Sequence, residues 1–179
     1  MKDNSSLKYL GASFLCISIF FCYRIFLYEA KLFFEFPHLL MVTSPIMLLM
    51  APLFYLGIRG LTKNKVGLTK KDLIHFLPAI LHVLELLPIY LKSSAEKIEL
   101  LQHIFKYENE LIVSVHGLVP NIWIDLIRFT LMIYYFAKSW RMIFRSDLVN
   151  KYLKSDRISS WFKASLIYFA IFQIIIPFQ

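Results

Sequence analysis

Residues 39–58 read LLMVTSPIMLLMAPLFYLGI, twenty residues from Leu39 to Ile58 without a charged side chain, closed abruptly by Arg59. At ~1.5 Å of rise per residue, such a run spans roughly the 30 Å hydrocarbon core of a bilayer. The chain has further runs like it, which predicts an all-α fold: a polytopic transmembrane helical bundle. About five spans are expected, near residues 9–28, 39–58, 73–91, 119–137 and 161–179, in a single domain over 1–179.

Composition agrees. Of the 179 residues, 58% are hydrophobic and only 18% are charged, too few polar side chains to cover the surface of a soluble domain of this length. The net charge of +8 could suggest nucleic acid, but the basic residues lie in loops between apolar runs. Membrane lipids are the expected partners, and no direct nucleic-acid contact is expected from this chain. Cys16 and Cys22 lie on different faces of the first apolar run and are read as small apolar side chains rather than a disulfide. Lys2 and Lys8 precede that run, but it is long and no small-x-small cleavage site follows, unlike a signal peptide.

The loops alternate in charge. Arg59, Lys63, Lys65, Lys70 and Lys71 lie between spans two and three, opposed by Asp72 alone. Lys138, Arg141, Arg145, Lys151, Lys154 and Arg157 follow span four, against Asp147 and Asp156. In the first and third loops the acidic residues outnumber the basic ones. The Lys/Arg rule therefore puts both basic loops and the N-terminus in the cytoplasm. In the long third loop, Ile98 to Val115 mixes apolar and charged residues and reads as a short surface helix or a small folded loop. The last run ends at Gln179 without a polar tail, which predicts that this chain is the front part of a longer one.

Ionisable residues within spans are expensive, so each is a candidate functional residue. His75, His82 and Glu85 fall in span three. On one continuous α-helix His82 would lie about 20° from His75, and Glu85 about 60° further round, so all three would face one side. His75 and His82 would stand two turns apart, roughly 10 Å, too far to share a metal ion without other ligands. No HExxH box is present, and neither a metal nor a cofactor is assigned. A polar cavity, a ligand contact and plain interhelical hydrogen bonding all remain open for these residues. In span four, Asp125 and Arg128 are three apart and can pair. Alternatively Glu85 competes for Arg128 and forms a network that a ligand could rearrange. These five residues are the ligand-binding or switch candidates. Pro45, Pro52, Pro78 and Pro88 each remove a backbone donor and are expected to kink their spans. Trp123, Trp140 and Trp161 lie near span ends, where interfacial anchoring explains them. No nucleotide loop, Ser-His-Asp ordering or paired catalytic carboxylates appear, so no catalytic residues are assigned and no enzyme is expected.

Span two closes with Pro52-Leu53-Phe54-Tyr55-Leu56-Gly57-Ile58-Arg59-Gly60-Leu61, and after a basic loop Lys70-Lys71-Asp72-Leu73-Ile74-His75-Phe76-Leu77-Pro78 opens span three. This arrangement resembles the membrane-embedded N-terminal half of AraC-type helix-turn-helix regulators of Bacteroidota, over roughly residues 37–91. The resemblance implies a one-component membrane sensor in which several spans precede a cytoplasmic DNA-binding domain. It also implies that His75, the one matched residue able to contribute, takes part in sensing. This sequence carries no helix-turn-helix region, so DNA binding is transferred to no residue of it. The expected function is a membrane-embedded sensory, signal-transducing domain for transcription regulation, with a homo-oligomer or a regulator as partner. The alternative is a small transporter or channel component whose polar pathway runs along span three.

Overall fold

The computed structural model describes residues 5–63, 68–106 and 117–145, and every regular element among them is helical. The expected fifth span, 161–179, lies outside the described residues. Helix α1 (Ser5–Tyr23) runs on into a π-helical turn, Arg24–Glu29. Two 3₁₀ turns follow, Leu32–Phe34 and Pro37–Leu39, with Lys31 and Met41 at positive φ where the chain reverses. Helix α2 (Thr43–Lys63) is the central element and packs against α1, α3 (Leu77–Glu85) and α6 (Asn121–Arg145). Between α3 and α6 lie α4 (Leu87–Tyr90) and α5 (Ser94–Lys106). Helix α5 places a regular element in the first part of the mixed third loop.

Among the described residues, two segments are long and apolar enough to cross a membrane, Leu7–Leu27 and Pro37–Thr62. The expected third span differs from one straight α-helix. Residues Lys70–Phe76 form a 3₁₀ helix, α3 begins at Leu77, and the chain breaks at Leu86 before α4. Proline explains both joints. Pro78 has no N–H to offer the carbonyl of Ile74, which accepts from the Leu77 N–H in a tighter turn instead. Pro88 likewise cannot bond the carbonyl of Leu84, and α4 starts afresh with Pro88 in its first turn. Pro45 too sits in the first turn of α2. Of these four prolines, only Pro52 lies inside a helix. The expected kinks are therefore mostly helix starts.

The described core falls into three clusters, one of them Ala51, Tyr55, Leu56, Met132 and Tyr135 between α2 and α6. Toward the basic-loop end, Cys16, Ile17, Met47, Met50, Phe54, Ile58 and Ile143 cluster between α1, α2 and α6. There the Ser13 hydroxyl, fully buried, donates to the Met50 carbonyl across the α1–α2 contact at 2.9 Å. At the opposite end, Phe33, Leu40, Leu86, Ile89 and Leu101 join the 3₁₀ turns to α4 and α5. Cys16 is buried and Cys22 exposed, both as free thiols. The outer faces are apolar: Leu15 and Ile19 on α1, Ile80, Leu81 and Leu84 on α3, and Ile122, Leu126 and Ile133 on α6 are all exposed.

In the basic loop, Asp72 is buried and holds Arg59 with both carboxylate oxygens, Nη2 to Oδ2 at 2.8 Å. The same Oδ2 accepts from the backbone N–H and the hydroxyl of Thr69, at 2.7 and 2.8 Å. The Arg59 guanidinium, aided by these Thr69 donors, holds the Asp72 carboxyl well below the usual carboxylate range. The one acidic residue of this loop therefore ties the end of α2 to the start of the next segment.

Candidate functional site

A chain of polar side chains crosses from α6 through α2 to α3. It begins at Asp125, whose Oδ1 accepts from Arg128 Nη1 at 2.9 Å, an i,i+3 pair on one helix face. The other terminal nitrogen of the guanidinium, Nη2, donates to Ser44 Oγ in the first turn of α2 at 3.1 Å. Ser44 Oγ lies 2.7 Å from His82 Nε2 on α3. His82 Nδ1 in turn lies 2.8 Å from Glu85 Oε2, through a contact bent away from a linear hydrogen bond. Glu85 Oε1 accepts the backbone N–H of Val119, at 3.2 Å, from the turn that leads into α6.

Ser44 accepts from Arg128 with one lone pair and keeps a proton and a second lone pair, so it meets His82 Nε2 in either imidazole tautomer. With Nε2 unprotonated, a neutral His82 carries its proton on Nδ1, the nitrogen that faces Glu85. His82 and Glu85 are buried, and Arg128 is 18% exposed against 38% for Asp125. Burial on this scale makes each polar partner expensive to remove.

Glycine completes the site. A Cβ at position 117 would overlap both Oε1 and the backbone oxygen of Glu85, so only glycine lets the 117–119 turn close over the end of α3. The Leu118 N–H donates to that same Glu85 carbonyl at 3.2 Å. Glu85 is thus fixed by main-chain donors on both its side-chain and its backbone oxygen.

Four of the five candidates, His82, Glu85, Asp125 and Arg128, are brought into this one chain. His75 is not. It lies on the 3₁₀ segment near the basic-loop end, with Nδ1 2.8 Å from the Tyr135 hydroxyl and its ring 5.5 Å from that of Tyr55. The 3₁₀ steps before Leu77 change the angle between His75 and His82 by only about 40°, so both side chains face α2 and α6, but each meets its own partners there. Asp125 and Arg128 are paired, and Glu85 reaches the guanidinium only through His82 and Ser44. Among the described residues, no group of three or more His, Cys, Asp and Glu side chains is gathered as a metal ion would require.

Reading the sequence for ionisable residues passed over Ser44 and Gly117. The signal for Ser44 was there: Thr43-Ser44 is the polar break in the otherwise apolar run 39–58. Nothing local marks Gly117, whose role depends on where Glu85 comes to rest. The chain matches no protein-family model, no curated protein and no solved structure.

Proposed function

We propose that this chain is the membrane-embedded sensory domain of a one-component transcriptional regulator, a bundle of about five spans in a bacterial inner membrane with its N-terminus in the cytoplasm. Two features support the membrane setting. The helices carry apolar residues on their outer faces and ionisable ones within, an arrangement water would penalise and lipid favours. Two segments also have the length and apolarity to span. The resemblance to AraC-type membrane regulators, over residues 37–91, supplies the regulatory part of the proposal.

The observation that carries a sensory role is the chain Asp125–Arg128–Ser44–His82–Glu85. It joins three helices through a single hydroxyl, so a small relative shift of α2 and α3 breaks it at one point. Arg128 then has two carboxylates within its neighbourhood, Asp125 and Glu85, and exchange between them is the two-state element a stimulus would bias. The basic loops flanking α2 and α6 would report the change to a homo-oligomeric or regulator partner. His75, placed against Tyr135 on α6, would couple the basic-loop end to the same movement. No catalytic role is proposed for any residue.

A second reading, a small transporter or channel component, is favoured by the adjacency of His82 and Glu85, titratable groups suited to proton transfer. One pair of measurements separates the two. Glu85→Gln is introduced at the native locus, transcripts are profiled, and the mass of the native product is recorded. The same variant is reconstituted in liposomes with an internal pH dye. A defined set of altered transcripts, a native chain that carries a DNA-binding region and no proton flux support the sensor. A proton or substrate flux that Glu85→Gln abolishes overturns it in favour of the transporter.

A further inference from the structure

We infer that the groove between α2 and α3 binds one long-chain fatty acid, with its carboxylate at His38 and Lys97 and its acyl chain laid along Val42, Ile46, Leu49 and Ile80. The groove has a volume of about 760 Å³ and is lined almost wholly by apolar side chains, except at the end where His38, Tyr90 and Lys97 meet. That volume lies in the usual range of small-molecule sites.

Lys97 is the unusual residue. It is 1% exposed, yet among the described residues its ammonium meets only neutral acceptors, His38 Nδ1 and the Tyr90 carbonyl, each at 2.9 Å. No carboxylate of the described residues lies within ion-pair distance of it. A buried cation without an anion is costly, and an anion delivered by a ligand relieves that cost. His38 is positioned to extend the charge outward. It is exposed to the groove, accepts from Lys97 at Nδ1, and so carries its own proton at Nε2, 2.8 Å from the Ser94 hydroxyl. A carboxylate at this end would accept from a polarised imidazole or from the ammonium itself.

The apolar part takes the half of the acyl chain nearest the carboxylate. Val42, just before α2, to Leu49 within it covers about 10 Å, and Phe76 to Val83 on the facing segment a similar distance, so the rest of the chain runs on past Leu49. Together with the head site this is close to the depth of one bilayer leaflet, roughly 15 Å. An uncharged apolar helix would satisfy the walls but bring no anion to Lys97. A phospholipid brings one in its phosphate, but with two acyl chains for a single groove walled by α2 and the facing segment, whereas a fatty acid brings one carboxylate and one chain.

The site deepens the sensory reading, on which its depth in the membrane and its regulatory meaning rest. Pro45 and Val83 line the groove, and they directly follow Ser44 and His82, whose 2.7 Å contact is the central link of the polar chain. A chain wedged between α2 and α3 acts on that link first.

The test uses the purified full chain in a neutral detergent, with native mass spectrometry counting bound palmitate against hexadecanol at equal concentration. We expect one palmitate per chain, favoured over hexadecanol by about tenfold or more, the usual worth of a charge-assisted hydrogen bond. Lys97→Met brings palmitate down to the hexadecanol level, Lys97→Arg retains the preference, and Ile80→Trp on the exposed rim lowers both ligands. Equal binding of palmitate and hexadecanol to the native chain overturns the inference, as does palmitate binding that neither Lys97→Met nor Ile80→Trp alters. Should Lys97→Met fail to fold, the ligand comparison and Ile80→Trp still decide. The membrane reading is checked apart from this, by whether the chain stays in membranes washed with alkaline carbonate.

Discussion

Gly117 has no room for a side chain because Glu85 occupies the space: a Cβ there would overlap both the carboxylate and the main-chain oxygen of that residue. Backbone N–H groups of Leu118 and Val119 then bond the same two oxygens. Gly117→Ala must push the turn away and loosen both bonds. The expected cost is about 1–3 kcal/mol, the usual range for forcing a methyl group into a filled site. It is read as a lower midpoint of thermal unfolding in detergent, and an unchanged midpoint would show that the turn is free to move. In a Glu85→Ala background the carboxylate overlap is gone and part of the loss should return.

Among the described residues, Ser44 is the one side chain that joins Arg128 to His82. Ser44→Ala leaves the Asp125–Arg128 pair and the His82–Glu85 contact in place but removes the acceptor of Arg128 Nη2 and the partner of His82 Nε2. Orphaning such groups costs about 1–3 kcal/mol. The sharper prediction is about coupling. A double-mutant cycle between Arg128→Met and Glu85→Gln should give an interaction energy on the order of 1 kcal/mol with Ser44 present, and close to zero once Ser44→Ala has removed the hydroxyl. Equal coupling in both backgrounds would mean that the two charges communicate by another route.

Much of this arrangement could be read from the residues alone, and the unread part has a common cause. The apolar run 39–58 gives the greater part of α2, in a segment long and apolar enough to cross a membrane. The pairing of Asp125 with Arg128 follows from i,i+3 spacing on one helix. Both are local facts. His75 and His82 meet different partners, Tyr135 and Ser44, which no spacing along their own segment could show. Ser44 and Gly117 escaped because their importance lies in what another helix brings to them. Lys97 looked like one more loop charge until α5 packed over the end of the bundle and buried it.

The Asp72–Arg59 pair predicts an acid-sensitive fold. Asp72 titrates well below the ordinary carboxylate range in the folded state, owing chiefly to Arg59, and near ~3.9 when unfolded. A carboxyl depressed on folding contributes stability that is fully present above about pH 4 and is lost as pH falls further toward its folded value. The unfolding midpoint should therefore drop as pH is lowered below about 4. Asp72→Asn should cost about 3 kcal/mol at neutral pH, since it strands Arg59 in a largely buried position. It should also flatten part of the acid slope. A variant that keeps the full slope would place the acid sensitivity on other carboxylates.

The contact between α1 and α2 sets two opposing effects against each other at Gly57. A Cβ there would stand 2.6 Å from Leu10 Cγ, 2.8 Å from its Cδ2 and 3.1 Å from its backbone nitrogen. Close approach through small residues is how helices associate in lipid, where no hydrophobic force draws them together. The buried Ser13–Met50 hydrogen bond depends on the same approach. Yet Gly57 lies inside α2, where alanine would be favoured by about 1 kcal/mol on helix propensity alone. Near the Leu10 side chain the overlap should win, because backbone as well as side chain is close, and Gly57→Ala should destabilise by about 1–2 kcal/mol. In a Leu10→Ala background most of the overlap disappears. The same Gly57→Ala change should then be neutral or stabilising by up to about 1 kcal/mol, a reversal of sign that a helix merely intolerant of change at position 57 would not produce.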